Sequence, residues 1–256
     1  MKVALIQTEI KDNDIDLNFQ YVKLLLSKVD LDTDLVILPE MFLTGFVFDN
    51  SLAQVSGEKG LKLMRDFTLN TNIAIDGSLL VENEGKYYNR HYFITPKQEV
   101  FYNKVNLFSL SDEIKKLTAG NQKDVVIKYK GIKFKLLICY DLRFPACSRN
   151  SFKEEEFLYD VLIYVASWPS DRREQWKKLL QARAIENQSY VIGVNRQGKD
   201  GKELMYSGDS CVIDSKGEFV AETKNWENII HYYNIDKQSL DKSREKFPSY
   251  LDWQEK

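Results

Sequence analysis

Apolar and polar residues alternate in short runs separated by turn-forming clusters, and the period of each run predicts its element. Val3 to Thr8 alternates as a strand does. Behind it, Asp12-Asn-Asp14 offers N-caps to Ile15, Phe19, Val22, Leu25, Leu26 and Val29, which recur at steps of three or four as on one helix face. Leu35-Val-Ile-Leu38 is short and wholly apolar, which predicts a strand covered on both faces, and it ends in Pro39-Glu40. After a looser stretch, Leu61, Met64 and Phe67 predict a helix from about residue 58 to residue 71.

The pattern then turns to strands. Ile73 to Val81, Tyr87 to Thr95 and Glu99 to Lys104 read as a meander joined by Glu82-Asn-Glu-Gly85 and Pro96-Lys-Gln98. Residues 105–123 read as a polar loop with one helical turn over Asp112 to Leu117, and a loop of that length inside a compact fold is usually functional. Val125 to Lys130 and Lys133 to Cys139 flank a Gly131 turn. Val161 to Ala166 leads through Ser167-Trp-Pro169 into a helix over Asp171 to Gln188, with Asp171 and Glu174 resembling a capping pair. Tyr190 to Asn195, Ser210 to Asp214, Glu218 to Thr223 and Ile229 to Ile235 complete the strands. Roughly a dozen strands with about four helices are too many for one open sheet at this length. The expectation is an α/β fold of two sheets packed face to face with helices outside, as a single domain over residues 1–256.

Composition narrows the function classes. Hydrophobic residues make up 43% and charged residues 29%, which excludes a disordered chain. A net charge of -2 leaves no basic field to attract nucleic acid or an anionic membrane, so the expected partner is a small molecule. Cys139, Cys147 and Cys211 are odd in number and lack C-x-x-C spacing, which argues against a disulfide framework and a zinc site and suits a reducing compartment. The first residues read as a strand rather than a signal peptide, and no apolar run approaches 18 residues. These points set the expectation of a cytoplasmic protein.

Three reactive residues end strands: Glu40 after LVILP, Lys104 after EVFYN and Cys139 after KFKLLI. Strand ends in layered α/β folds present side chains into a crevice. A thiol with an ordinary pKa of about 8.5 needs a base to take its proton or a cation to favour the thiolate. Glu40 can be that base, and Lys104, with the backbone N–H of Tyr140, can hold an oxyanion. Each residue also has a plainer reading: Cys139 as core, Glu40 as a loop carboxylate, Lys104 as surface. His91 and His231 both fall inside strand patterns, which weakens a Cys-His hydrolase, and two histidines leave little for a metal-dependent enzyme. Cys147 and Cys211 read as structural.

Taken in order, Leu38-Pro-Glu40, Tyr102-Asn-Lys104 and Ile138-Cys-Tyr-Asp-Leu-Arg-Phe-Pro145 resemble the three motif regions of the nitrilase superfamily, the carbon-nitrogen hydrolases. The resemblance runs over almost the whole chain, through Ser167-Trp-Pro169, Gln181-Ala-Arg-Ala-Ile-Glu-Asn187, Val194-Asn-Arg196 and Ser207-Gly-Asp-Ser210. It implies a four-layer αββα sandwich and a Glu40-Lys104-Cys139 triad that works without metal or organic cofactor. It also implies a second glutamate in the loop after the lysine, for which Glu113 is the candidate beside Asp112.

Within the superfamily the chain looks most like bacterial omega-amidases. This implies hydrolysis of the terminal amide of 2-oxoglutaramate or 2-oxosuccinamate through a cysteine thioester, in a homodimer. An N-carbamoyl amidase or aliphatic amidase with the same triad is the alternative, and a non-catalytic binding protein on the same fold is another. A substrate with a distal carboxylate calls for an arginine fork. Arg143, Arg172, Arg173 and Arg196 are near the motifs, and Arg173 is the candidate taken here; Arg143 and Arg183 read equally as structural partners of Asp141 and Glu186. Phe42, Phe46, Phe108 and Trp168 are candidate pocket walls, with Phe42 and Trp168 taken as substrate-binding.

Overall fold

In the computed structural model, which describes residues 1–253, two six-stranded sheets carry the fold. In chain order their strands are β1 (Lys2–Gln7), β2 (Leu35–Ile37), β3 (Ala74–Asn83), β4 (Lys86–Ile94), β5 (Glu99–Asn103) and β6 (Val126–Tyr129). The rest are β7 (Ile132–Ile138), β8 (Val161–Ala166), β9 (Tyr190–Asn195), β10 (Cys211–Ile213), β11 (Phe219–Glu222) and β12 (Ile229–Asn234). The longer helices are α1 (Ile15–Leu26), α2 (Ala53–Thr71), α3 (Arg173–Asn187) and α4 (Lys237–Lys246).

The first sheet has the order β12-β1-β2-β3-β4-β5 and the second β11-β10-β9-β8-β7-β6. In each, a central parallel trio is flanked by antiparallel neighbours: β1-β2-β3 in one and β7-β8-β9 in the other. Apolar residues of both sheets meet in one core, where Val3, Leu5, Ile37 and Phe93 join Phe134, Leu136 and Ile163. The other face of the first sheet is covered by α1 and α2 through Val22, Leu25, Leu63 and Met64. On the far side, Trp176, Leu180 and Ala184 of α3 bury against the second sheet. Gly193 of β9 permits that approach, since a Cβ there would stand 2.7 Å from Leu180 and from Trp176. The layers are therefore helix, sheet, sheet, helix, the αββα sandwich.

Several boundaries differ from expectation for local reasons. The Asp14 side chain caps α1 by accepting from Leu17 N at 3.0 Å, but α2 begins at Ala53, because Asp49 caps a 3-10 turn over Asn50–Leu52 that runs straight into it. Asp171 and Glu174 do not cap α3. A 3-10 turn over Ser170–Arg172 precedes it, and Asp171 pairs with Arg172 at 3.3 Å. Helix α4 was not expected, and it buries only Leu240 and Arg244. Its anchor is polar: Arg244 donates to Asp160 Oδ1 at 2.8 Å and to Gln188 O at 2.8 Å. Two hairpins were also missed, Phe152–Lys153 with Glu156–Phe157 and Gln197–Lys199 with Met205–Ser207. No helix among the described residues is long and apolar enough to cross a membrane.

Candidate active site

Strand β7 ends in the apolar run Leu136-Leu-Ile138 and then turns sharply. Cys139 adopts φ 41°, in the left-handed region, and opens a 3-10 turn over Cys139–Arg143. A non-glycine residue held there costs roughly 1–3 kcal/mol and persists only where its surroundings fix it. Asp141 does the fixing. Its Oδ2 accepts from Ile138 N at 3.0 Å and Tyr102 Oη at 2.9 Å, and its Oδ1 accepts from Asn106 N at 3.1 Å and Asn106 Nδ2 at 2.8 Å. Burial pushes the Asp141 carboxyl up, and the Ile138 and Asn106 donors oppose that rise. Just upstream, His91 Nδ1 donates to Leu137 O at 3.2 Å while its Nε2 lies 2.7 Å from Asp76 Oδ1. This imidazole ties the first sheet to the second below the cysteine.

Glu40 lies three residues past β2, and the backbone reverses at Met41, φ 48°. Its carboxylate is fully buried and seated from three directions. Oε1 accepts from Lys104 Nζ at 3.0 Å and Asn89 Nδ2 at 2.8 Å, and Oε2 accepts from Ser167 N at 2.7 Å. Lys104 Nζ also donates to both oxygens of Glu113, at 2.9 and 3.0 Å. Glu113 Oε2 is held further by Phe108 N at 2.7 Å. Asp112, by contrast, is solvent-exposed and paired with Lys115 at 3.0 Å.

The cluster holds one ammonium against two carboxylates. Burial alone lowers the Lys104 pKa, but Glu113 and Glu40 hold it above its ordinary value, so it stays charged. Burial raises the Glu113 carboxyl, with Lys104 opposing and Glu40 adding to the rise. The Cys139 thiol is raised well above the ordinary range by burial and then by Glu40, and Lys104 only partly offsets this. The resting sulfur is therefore a thiol, and its proton has to be taken when it reacts.

Above the cluster opens a narrow cavity lined by Lys104, Cys139 and Ser167 together with Phe46, Phe108, Tyr140, Trp168 and Tyr206. Glu40, Lys104, Cys139 and Glu113 thus come together, and Tyr140 and Trp168 border the same space. Two expectations are corrected. Phe42 is not a wall: after the reversal at Met41 it packs into the core under α1 and α2, beside Gly77. Arg173 is outside the lining, because its guanidinium forks onto Asp209, with Nε at 3.1 Å from Oδ2.

The arginines at the cavity are Arg143 and Arg172. Arg143 does not pair with Asp141; it donates to Gln175 Oε1 at 2.7 Å and lies 4.7 Å over the Trp168 ring. Arg183 does bond Glu186, at 3.0 Å, and Arg196 is buried against Asp12 and the Tyr206 ring. Sequence reading missed Asn89 and the Ser167 N–H. The signal for Asn89 was a polar residue on the strand face that it shares with Phe93, which points between the sheets. Among the described residues, no group of three or more His, Cys, Asp or Glu side chains could hold a metal ion.

The carbon-nitrogen hydrolase family model matches residues 2–245. The chain is 35% identical to omega-amidase YafV of Escherichia coli strain K12, over 98% of this chain and 96% of that protein. It is 31% identical to the 2-oxoglutaramate amidase of Bacillus subtilis strain 168, again over 98% and 96%. Among solved structures it resembles XC1258 of Xanthomonas campestris, a CN-hydrolase superfamily protein with an arsenic adduct in the active site. That match has a TM-score of 0.94 at 34% identity and covers 100% of this chain and 98% of that one. The chain belongs to the carbon-nitrogen hydrolase family and is an amide-hydrolysing enzyme.

Proposed function

From that membership we propose that this enzyme is an omega-amidase, hydrolysing the terminal amide of 2-oxoglutaramate and 2-oxosuccinamate to the dicarboxylate and ammonia with Cys139 as nucleophile. The observation that carries the reading is the three-way seat of Glu40 next to a thiol that burial keeps protonated. A fixed base stands beside the acid that needs one.

As sulfur attacks the amide carbon, Glu40 takes the thiol proton. Lys104 Nζ and the Tyr140 N–H receive the oxyanion. Glu40 then gives that proton to the amide nitrogen, the C–N bond breaks, and ammonia leaves a thioester on Cys139. Water repeats the sequence: Glu40 takes its proton, the acyl carbon gains oxygen, the C–S bond breaks and the thiol is restored. Glu113 keeps Lys104 aimed through two hydrogen bonds. No step calls on a metal or organic cofactor.

The substrate class draws support from the relatives' names and from the mouth of the cavity. Arg143, stacked on Trp168 and held by Gln175, is a fixed fork for a distal carboxylate, with Arg172 beside it. A narrow cavity lined mainly by aromatic rings, with Lys104, Cys139 and two arginines as its polar groups, suits a small dicarboxylate monoamide. The arsenic adduct of the Xanthomonas protein fits a reactive thiol, since arsenic is thiophilic, and Cys139 is the thiol at this cavity. Three free cysteines support a reducing compartment, the cytoplasm. Exposed Ile185 and Phe247 border one shallow groove that a second copy would cover in a homodimer, which light scattering tests.

The functional test is ammonia release from a panel of omega-amides and carbamoyl compounds, with Cys139→Ser as control. The reading expects turnover of the 2-oxo dicarboxylate monoamides and none by the variant. Release from carbamoyl compounds alone would overturn it.

A further inference from the structure

A carboxylate offers about two acceptor positions on each oxygen. On Glu40, Oε1 has both filled, by Lys104 Nζ at 3.0 Å and Asn89 Nδ2 at 2.8 Å, while Oε2 accepts only from Ser167 N at 2.7 Å. Oε2 is therefore the oxygen with room for a proton. The Ser167 N–H that it accepts is also a hydrogen-bond neighbour of the Cys139 sulfur. Asn89 helps keep Oε1 full, and Asn89 is itself held.

The holder is Ser78 on β3, buried like Asn89 on the neighbouring β4 and, like it, outside the cavity lining. Ser78 Oγ accepts from Met41 N at 2.9 Å and donates to Asn89 Oδ1 at 2.9 Å. With its oxygen engaged there, the Asn89 carboxamide turns its nitrogen to Glu40 Oε1 and, at 3.5 Å, toward Glu113 Oε1. The opposite rotation would set the amide oxygen against the Glu40 carboxylate. The bonds thus run from the backbone N–H that follows Glu40, through a hydroxyl and a carboxamide, back to the Glu40 side chain. The turn itself has other anchors on the same strand, Leu38 N on Asp76 O at 2.8 Å and Phe42 N on Ser78 O at 3.2 Å. The Ser78 hydroxyl is therefore free to serve the side chain of Glu40 rather than its backbone.

We infer that Ser78 is a positioning residue for the base: through Asn89 it keeps Oε1 saturated and so fixes Oε2 as the oxygen that takes the Cys139 proton, passes it to the amide nitrogen and repeats the exchange with water. The inference rests on the reading of Glu40 as the base of a Cys139-dependent amidase. Ser78 touches neither substrate nor sulfur and acts through Asn89. Without its hydroxyl the carboxamide loses its fixed orientation, the carboxylate loses its fixed plane, and Oε2 meets the thiol proton less often.

The test is a double-mutant cycle on kcat for ammonia release from an omega-amide, with Ser78→Ala, Asn89→Ala and the two together. Ser78→Ala is expected to lower kcat about tenfold and to leave KM within about twofold, since neither residue borders the cavity. In the Asn89→Ala background the same substitution should lower kcat by less than about twofold, because the path to Glu40 is already cut. Losses that multiply would make Ser78 an independent structural support and overturn the inference, as would a loss carried by KM or an unchanged kcat in Ser78→Ala. Should either alanine variant not fold, Ser78→Cys, of similar volume but a weak donor, or Asn89→Leu takes its place in the same cycle, with the same outcomes deciding. Wild type that releases no ammonia from any amide overturns the amidase reading and the inference with it, whereas multiplying losses in an active enzyme overturn the inference alone.

Discussion

Glu40 and Asp141 are both fully buried carboxylates near Cys139, and they are wired in opposite ways. Asp141 accepts four hydrogen bonds from neutral donors: two backbone N–H groups, a phenol and a carboxamide. Glu40 accepts three, one of them from an ammonium shared with Glu113. Fixed neutral donors on both oxygens make Asp141 a brace that holds Cys139 in a strained conformation. An ammonium among its donors and a protonated thiol beside it suit Glu40 to passing a proton. Burial is common to both, so it is the donors that separate the roles.

The sharpest way to break this comparison is Glu40→Gln. The amide oxygen keeps the shape of the seat but cannot take a proton. We expect kcat for ammonia release to fall by about 10³-fold, within the range of a lost general base, with some loss of stability as well, because the new NH2 faces a donor, Ser167 N or the Lys104 and Asn89 groups, whichever way it turns. A loss under tenfold would put Glu40 with Asp141 as a brace.

Asp141→Asn should act on stability instead. Whichever way its amide turns, the NH2 faces a backbone N–H, of Ile138 or of Asn106, so one donor is left buried and unpaired. A loss of about 2 kcal/mol in denaturant unfolding is expected. Retained wild-type stability would contradict the bracing role.

The thiol itself gives a pH test with a definite sign. Burial and the Glu40 charge raise the Cys139 pKa, and Lys104 lowers it. Alkylation of wild type by iodoacetamide should therefore be slow at neutral pH and quicken only as the pH rises into the alkaline range. Alkylation that is already fast at neutral pH and no faster in the alkaline range would contradict a raised thiol pKa. The smallest effect belongs to Tyr102→Phe, which removes one of four donors to Asp141 and should cost about 1 kcal/mol of stability.

The sandwich was legible because its central strands are mostly apolar runs bounded by turn residues, and such runs admit few other readings. The missed pieces lack that signature. Helix α4 rests on the Arg244–Asp160 pair instead of an apolar stripe, and the two missed hairpins have paired strands of only two or three residues. At the site, Glu40, Lys104 and Cys139 stood out because each ends a strand pattern. Glu113 was the candidate from the resemblance, and the packing of the loop separates the two neighbours, with Glu113 buried on Lys104 and Asp112 exposed on Lys115. Phe42 and Arg173 were misplaced because one backbone reversal, at Met41, and one ion pair, to Asp209, turn them away from the cavity. Neither event has a one-dimensional signal. The placement of both histidines in strands was a local reading, but the bond from His91 to Leu137 in the opposite sheet depends on sheet-on-sheet register.

The most direct test of the central claim is intact-protein mass spectrometry of wild type quenched in acid during turnover of an omega-amide. The account predicts a mass increase equal to the substrate less ammonia, mapped to Cys139 and absent in Cys139→Ala. Turnover with no adduct at any quench time, together with activity retained in Cys139→Ala, would contradict it.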